Sequence, residues 1–179
     1  FIDLCLKGLV YEDERINNWD TKLQTTVADS EIDYKEIPSK FSHIEWKLED
    51  SKEKILIATT RPELLSTCAM VIYNPEDKRY KHLNGKKAIV PIFNHIVPIQ
   101  EHPFAQIDKG TGLVMMCSAG DLSDIRFFRE MNLDPVIAIE KDGKMNHHSG
   151  FLKGLKVKEA REKIIEELKN KNLLVKQTN

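Results

Sequence analysis

The stretch Lys54-Ile55-Leu56-Ile57-Ala58-Thr59-Thr60-Arg61-Pro62-Glu63 changes character halfway along. Its first half is a compact apolar run suited to a buried strand. Its second half carries two hydroxyls and a guanidinium, and Pro62 is well placed at the first position of a short helix. A strand end that meets a helix start gathers free backbone N–H groups, Thr59, Thr60 and Arg61 at one point, where anions bind and carbonyls are polarised. Plain capping uses the same residues, with Thr60 as the cap and Arg61 in solvent. Both readings stay open at this level.

Outward from this stretch the chain is a series of short strands and a few helices. Phe41 to Leu48 partly alternates polar and apolar residues, and Cys68 to Tyr73 is another strand. Asn74-Pro75-Glu76-Asp77 predicts a helix, with Asn74 as N-cap and Pro75 at its first position, ending near Leu83 before the Asn84-Gly85 turn. Lys87 to Ile92 and His95 to Ile99 predict a hairpin around Phe93-Asn94, with Pro91 and Pro98 marking edges or bulges. Gly110-Thr111-Gly112 opens a strand through Cys117, and Ser118-Ala119-Gly120 turns into a helix over Leu122 to Met131, closed by Asn132. Pro135 to Ile139 predicts a further strand, and Asp142-Gly143 a hairpin turn. Val157, Ala160, Ile164, Ile165 and Leu168 keep helical spacing, with Glu159 and Lys163 as a supporting pair.

Phe1 to Lys7 reads as the last turns of an amphipathic helix stopped by Gly8, which points to a segment of a longer chain. Residues 9–37 predict a hairpin-like acidic appendage: polar Asp13 to Trp19 with an Asn17-Asn18 turn signal, then strand-like Thr25-Thr26-Val27 and Glu31-Ile32-Asp33-Tyr34. Pro38-Ser39 breaks it off. The predicted architecture is α+β: a barrel-like mixed β core with short helices over 39–150, an extended β-ribbon linker over 1–38, and a C-terminal helix and return linker over 151–179.

Charge narrows the function classes. The 179 residues carry 27 Lys+Arg against 28 Asp+Glu, a net charge of −1, which excludes an autonomous duplex binder held by many phosphates. The average hides a division: residues 1–50 are net −6 and residues 51–179 net +5. No run of about 18 apolar residues is available for a membrane span. Three well-separated cysteines without a CxxC pair fit a reducing, cytoplasmic compartment. The histidines lack metal-ligand spacing, so no metal is expected, and no GxSxG, Walker or dinucleotide motif is present.

The second stretch with chemistry is Gly110-Thr111-Gly112 followed by Ser118-Ala119-Gly120-Asp121-Leu122-Ser123-Asp124. Its glycines permit close backbone approach to a ligand. Asp121 suits an N-cap, with Asp124 in the first turn where the helix dipole favours a carboxylate. Alternatively, one of these carboxylates faces a pocket and binds a substrate ammonium.

In order, Thr59-Thr60-Arg61-Pro62-Glu63 after a strand, Asn74-Pro75-Glu76-Asp77 with Arg79-Tyr80, Gly110-Thr111-Gly112, then Gly120-Asp121 and Asp124 form a set. It resembles the editing domain (connective peptide 1) of class I aminoacyl-tRNA synthetases, in its valyl, archaeal-like version. Asn18-Trp19-Asp20 with Lys22-Leu23-Gln24-Thr25 resembles the ribbon that joins such a domain to the catalytic core, and Gly154, Ala160-Arg161 and Leu173-Leu174 resemble the return to it. Leucyl domains share Thr-Thr-Arg-Pro but usually continue with Asp and an aromatic residue, and isoleucyl domains usually lack the arginine. Many bacterial valyl domains differ at Ser118 to Asp121, and often have Phe at the place of Lys109 and Lys at the place of Met115.

The resemblance implies post-transfer hydrolysis of threonyl-tRNA(Val) at the tRNA 3′ end. The alternatives are an isoleucyl or leucyl editing domain and a non-catalytic RNA 3′-end module. It implies Asp124, Thr59 and Thr60 as catalytic residues, and Arg61, Pro62, Glu63, Gly110, Thr111, Gly112 and Asp121 as substrate-binding residues. Partners would be the tRNA(Val) acceptor end, the misattached threonine and the rest of a parent synthetase. No cofactor is implied for the domain itself, ATP being used by the parent's synthetic domain, whose KMSKS loop is absent here.

Overall fold

The computed structural model describes residues 1–12 and 16–178. Residues 13–15, which open the polar stretch read from Asp13 to Trp19, lie outside the described residues, as does Asn179. The chain divides into two compact units, Phe1–Tyr34 and Lys35–Asn179.

The first unit holds α1 (Ile2–Leu6), followed by Gly8 at φ 68°, and a ribbon of β1 (Asn18–Asp20) against β2 (Thr25–Val27). Asp20 makes the ribbon's turn: its Oδ1 accepts from the backbone N–H groups of Lys22 at 2.7 Å and Leu23 at 2.9 Å. Asn18 lies within β1, so the turn falls after Asp20 and not at Asn17-Asn18. The strand expected over Glu31 to Tyr34 does not form. Asp29–Glu31 is instead a 3-10 turn, and the Glu31 carboxylate takes the Ala28 N–H at 3.1 Å.

The second unit contains β3 (Phe41–Leu48), β4 (Lys54–Thr59), β5 (Cys68–Tyr73), β6 (Lys87–Ile89), β7 (Ile96–Glu101), β8 (Leu113–Cys117) and β9 (Leu174–Thr178), with α2 (Leu122–Glu130) and α3 (Val157–Asn170). Strand order is β4-β3-β6-β7-β5-β8, with β9 also paired to β3. The sheet is mixed: β5 runs parallel to β7, and the other pairs are antiparallel. The two ends of the path, β4 and β8, lie against one another, so the sheet curls almost into a barrel. This is the α+β, barrel-like core expected from the sequence.

β5 and β8 are apolar along their whole length because both faces are buried. Val71 and Tyr73 enter the main core with Ile44, Trp46 and Ile57, which α3 closes with Ala160, Ile164 and Leu168. Met70 and Ile72 point the other way, into a smaller core with Met116, Phe127 and Phe128 beneath α2. Burial of two phenylalanines contributes roughly 3–6 kcal/mol and pins α2 to β5 and β8, which fixes where that helix starts.

Two expected elements are replaced. Asn74 to Leu83 is not a helix begun at an N-cap. Asn74 Oδ1 accepts from Glu76 N–H at 2.9 Å, Asn74 Nδ2 donates to the Ala105 carbonyl at 2.8 Å, and Asp77 takes the Arg79 N–H at 3.1 Å. These local bonds hold turns, and only Lys81–Leu83 winds into a 3-10 segment. Pro135 to Ile139 is no strand either. Its backbone is satisfied by side chains: Ser118 Oγ accepts from Val136 N–H at 2.8 Å, and Asn146 Nδ2 donates to the Ile137 carbonyl at 2.6 Å. Pro98 sits inside β7, where the ladder to β5 begins only at Ile99, so no donor is missed.

Candidate active site

A cavity of about 460 Å³ opens where β4 ends and α2 begins. One wall is Thr59, Thr60, Arg61 and Leu64, and the facing wall is Gly120, Asp121, Ser123, Asp124 and Arg126. Met115 and Cys117 of β8 line it from the sheet, and Phe41, Phe104 and Lys109 contribute from the loops and β3. The volume suits a ligand larger than an amino acid alone.

The first wall follows from the end of β4. Thr59 Oγ1 accepts from the Arg61 N–H at 3.0 Å, which bends the chain out of the strand. Pro62 then opens a 3-10 helix, Pro62–Thr67, as its fixed φ favours. Arg61, not Thr60, takes the capping position, and no side chain caps it, so the capping reading of Thr60 is not the arrangement adopted. Nor is Arg61 free in solvent. Its Nε donates to Glu63 Oε1 at 3.3 Å, and its NH1 donates to the Gly120 carbonyl on the facing wall.

The second wall is built by a capping box. Asp121 Oδ1 accepts from the Asp124 N–H at 2.9 Å and from Ser123 Oγ at 2.6 Å, while Asp124 Oδ2 accepts from the Asp121 N–H at 3.2 Å. Both readings of this segment therefore meet in one place: Asp124 completes the cap and also lines the cavity. The two carboxylates are driven apart in acidity. Burial and the Asp121 charge push Asp124 from 3.8 to about 7, against backbone hydrogen bonds and Arg61. For Asp121, burial alone would raise its pKa. Hydrogen bonds from Ser123 and the Asp124 N–H, with the Lys109 charge, outweigh burial and hold it below 3.8. Such a pair, one ionised and one poised near neutrality, marks sites where charge is used.

Other expected residues lie elsewhere. Pro62 and Glu63 are buried and do not line the cavity; Glu63 is fully enclosed and paired with Arg161 of α3. Gly110, Thr111 and Gly112 are not on its walls. Gly112, at φ 87°, passes so close to the Asp77–Arg79 pair that a Cβ would lie 2.7 Å from Arg79 NH2. The Thr111 carbonyl accepts from the Tyr80 hydroxyl at 2.7 Å. These residues close the loop onto Asp77, Arg79 and Tyr80.

Cys117 lines the cavity as a protonated thiol. Its hydrogen bond with Cys68 and its burial raise its pKa well above the ordinary thiol value, so it is no nucleophile at neutral pH. Among the described residues no three His, Cys, Asp or Glu side chains converge on a metal position. No helix of the described residues is long and apolar enough to cross a membrane. Phe41, Phe104 and Arg126 join the site without any motif announcing them: Phe41 opens β3, Phe104 lies in the loop after β7, and Arg126 stands on α2 two residues after Asp124.

The whole chain, residues 1–179, matches the family model of tRNA synthetases class I (I, L, M and V). It is 48% identical over 176 residues to a valine–tRNA ligase of Aeropyrum pernix, covering 98% of this chain and 21% of that protein. It is 42% identical over 177 residues to that of Methanocaldococcus jannaschii, covering 99% and 20%. The chain thus spans about a fifth of the length of the curated relatives it matches. In fold it is similar to GlLeuRS-CP1, at TM-score 0.62 and 12% identity over 79% of this chain and 99% of that one. It is equally similar to LeuRS of Agrobacterium radiobacter K84 in a ternary complex with tRNA and LeuAMS, at TM-score 0.62 and 19% identity over 78% and 20%. The ordered motifs and these matches agree, and the chain belongs to the class I tRNA synthetases (I, L, M and V).

Proposed function

We propose that the chain is the editing domain of a valyl-tRNA synthetase, which hydrolyses the ester of threonyl-tRNA(Val) at the tRNA 3′ end. The chemical need is general. Threonine and valine are nearly isosteric, and an apolar pocket rejects an added hydroxyl by only about a hundredfold, the valyl synthetase being the established case. A second site must then discharge the wrong ester.

The observation that carries this reading is Asp124, a half-buried carboxyl poised at about 7 and facing a cavity between two polar walls. A substrate α-ammonium would hold it ionised through a charge-assisted hydrogen bond. Thr59 and Thr60, with nearby backbone N–H groups, bind the terminal adenosine and polarise the ester carbonyl, which becomes an oxyanion in the transition state. Arg61 contacts the terminal nucleotide. Asp121 recognises the threonine hydroxyl or orders the helix start. Water is the nucleophile, assisted by the vicinal ribose hydroxyl, with no covalent enzyme intermediate and no cofactor. Partners are the acceptor end of tRNA(Val) and the remaining domains of the parent, in the cytoplasm. The near-neutral charge of the chain fits contact with a single-stranded end only.

Asp124→Ala should abolish deacylation of threonyl-tRNA(Val) with the fold intact. Full retention of hydrolysis would remove Asp124 from the mechanism. Binding of the 3′ end by the wild-type chain without hydrolysis would favour a non-catalytic RNA module, and preference for mischarged tRNA(Ile) would favour an isoleucyl parent.

A further inference from the structure

Glu63 is a fully buried carboxylate that lies outside the cavity, yet it is gripped from two sides. Arg161 of α3 donates Nε to its Oε2 at 2.9 Å and NH2 to its Oε1 at 2.7 Å. Arg61 donates Nε to the same Oε1 at 3.3 Å and carries on with NH1 to the Gly120 carbonyl. Arg161, Glu63, Arg61 and Gly120 thus form one chain of contacts from the C-terminal helix, through the wall after β4, to the start of α2.

An enclosed carboxylate is costly to desolvate, and well-packed apolar residues often stabilise a fold as well as a buried ion pair does. What a bidentate guanidinium pair adds is fixed geometry. That geometry ends on Asp124. A Cβ at Gly120 would overlap Asp124 Oδ2, so the residue that Arg61 clamps is in direct contact with the Asp124 carboxyl.

We propose that Glu63 and Arg161 are positioning residues of the deacylation site, holding Arg61 on the Gly120 carbonyl and so fixing the Asp124 carboxyl over the cavity. Neither touches substrate. The proposal rests on the editing reading above. It makes α3, the helix that leads to the C-terminus of the chain, part of the site's framework, although α3 contributes no residue to the cavity lining.

The test uses the opposite signs of two neutral substitutions. Arg161→Gln leaves the Glu63 charge to Arg61, which is drawn away from Gly120 and Asp124. Glu63→Gln releases Arg61 to settle against them. The other charged or titratable groups around this point are unchanged in both variants: Asp121, Lys109 acting on Asp121, Arg126 on the same wall, and the Cys117 thiol of β8. The Asp124 carboxyl, assigned by its loss in Asp124→Asn, is titrated by 13C NMR from pH 5 to 9 in the 179-residue chain, beside kcat and KM for threonyl-tRNA(Val).

We expect the Asp124 midpoint to rise in Arg161→Gln and fall in Glu63→Gln, each by about half a pH unit or more. Arg161→Lys, which keeps the charge but not the fork, should shift it less than Arg161→Gln. Since Arg161 acts through Glu63, adding Arg161→Gln to Glu63→Gln should leave the midpoint where Glu63→Gln alone places it. In both single variants kcat should fall about tenfold or more, because small misplacements of reacting groups are costly, while KM changes much less. A midpoint that does not fall in folded Glu63→Gln, or does not rise in folded Arg161→Gln, overturns the proposal and leaves the editing reading standing. Opposite shifts in a chain that hydrolyses no threonyl-tRNA overturn the editing reading while the coupling itself survives.

Discussion

Replacing Asp124 by Asn should make the protein more stable at pH 8 while disabling the site. In the folded chain Asp124 titrates near 7, against 3.8 for a free side chain, because of burial and the neighbouring Asp121. Between those two values the native state binds more protons than the unfolded chain, so stability falls as pH rises. The contribution is fully present below about pH 4 and is lost as pH passes through about 7. A shift of roughly three units corresponds to about 4 kcal/mol at most, and because the group is only half-buried, solvent screening reduces this to about 2–3 kcal/mol. The substituted asparagine would carry no charge, yet it keeps an oxygen to accept the Asp121 N–H, so the backward half of the capping box survives.

Urea unfolding at pH 5 and pH 8, followed by far-UV circular dichroism, measures the difference between the two chains. With a slope of about 2 kcal/mol per molar, the variant's midpoint should stand about 1 M above wild type at pH 8 and about 0.4 M above it at pH 5, where the unfolded carboxyl is already ionised. His43 titrates in the opposite sense: burial and the Lys176 charge lower its pKa, so its contribution strengthens as pH rises towards the unfolded value of 6.5. Both chains carry it, and it cancels. An ordinary cap predicts something else. A first-turn carboxylate interacting only with the helix dipole is stabilising by about 0.3–1 kcal/mol, so its loss should weaken the fold at pH 8. A variant less stable than wild type at pH 8 would refute the assignment of Asp124 as a functionally strained group.

Three further outcomes follow from single contacts. Gly120→Ala drives a Cβ into Asp124 Oδ2 and places it 3.3 Å from Leu64 Cδ1, so the carboxyl must move; deacylation should fall about tenfold or more, and an unchanged rate would show that its placement is unimportant. Thr60→Ala should slow hydrolysis of threonyl-tRNA(Val) or alter its discrimination from valyl-tRNA, and equal rates on both substrates before and after substitution would return Thr60 to a structural role. Asn146→Ala removes the donor to the Ile137 carbonyl and the acceptor of the His148 N–H, both at or below 2.9 Å. Thermal unfolding should show a loss of about 1–3 kcal/mol with deacylation retained, whereas a neutral substitution would mean that this segment finds other partners.

What the sequence made legible was decided by the range of the interactions involved. β3, β4, β5, α2 and α3 announce themselves by local features: apolar runs in β4 and β5, partial alternation in β3, a turn before α2, and helical spacing of buried residues in α3. Asn74-Pro75 misleads because the side chain that would cap a helix serves equally well in a turn, and the Ala105 carbonyl that decides between them is distant in sequence. Pro135 to Ile139 is apolar enough for a strand, but Ser118 and Asn146 satisfy its backbone in place of a neighbouring strand. β9 is mostly exposed and polar, and it becomes a strand through pairing with Phe41 to Ile44. Glu63 follows the same rule. Its place in the Thr-Thr-Arg-Pro-Glu run suggests substrate contact, while its partner Arg161 stands 98 positions further on, where no local pattern pairs them.

Asp121 and Asp124 explain why capping and facing a cavity could not be separated from sequence: here one pair does both. In an exposed capping box both carboxylates would stay ionised. At this helix start Asp121 collects the Ser123 hydroxyl and the Asp124 N–H and keeps its charge. That retained charge, after burial, is what forces Asp124 towards neutrality. Rebuilding the cap without Asp121's charge would therefore return Asp124 towards an ordinary acid, and removing the burial would do so further. A cation entering the cavity supplies the missing counter-charge and ionises Asp124 as it binds. Below about pH 7 such binding must expel a proton, so the affinity for an ammonium is tied to pH by the same two residues that begin the helix.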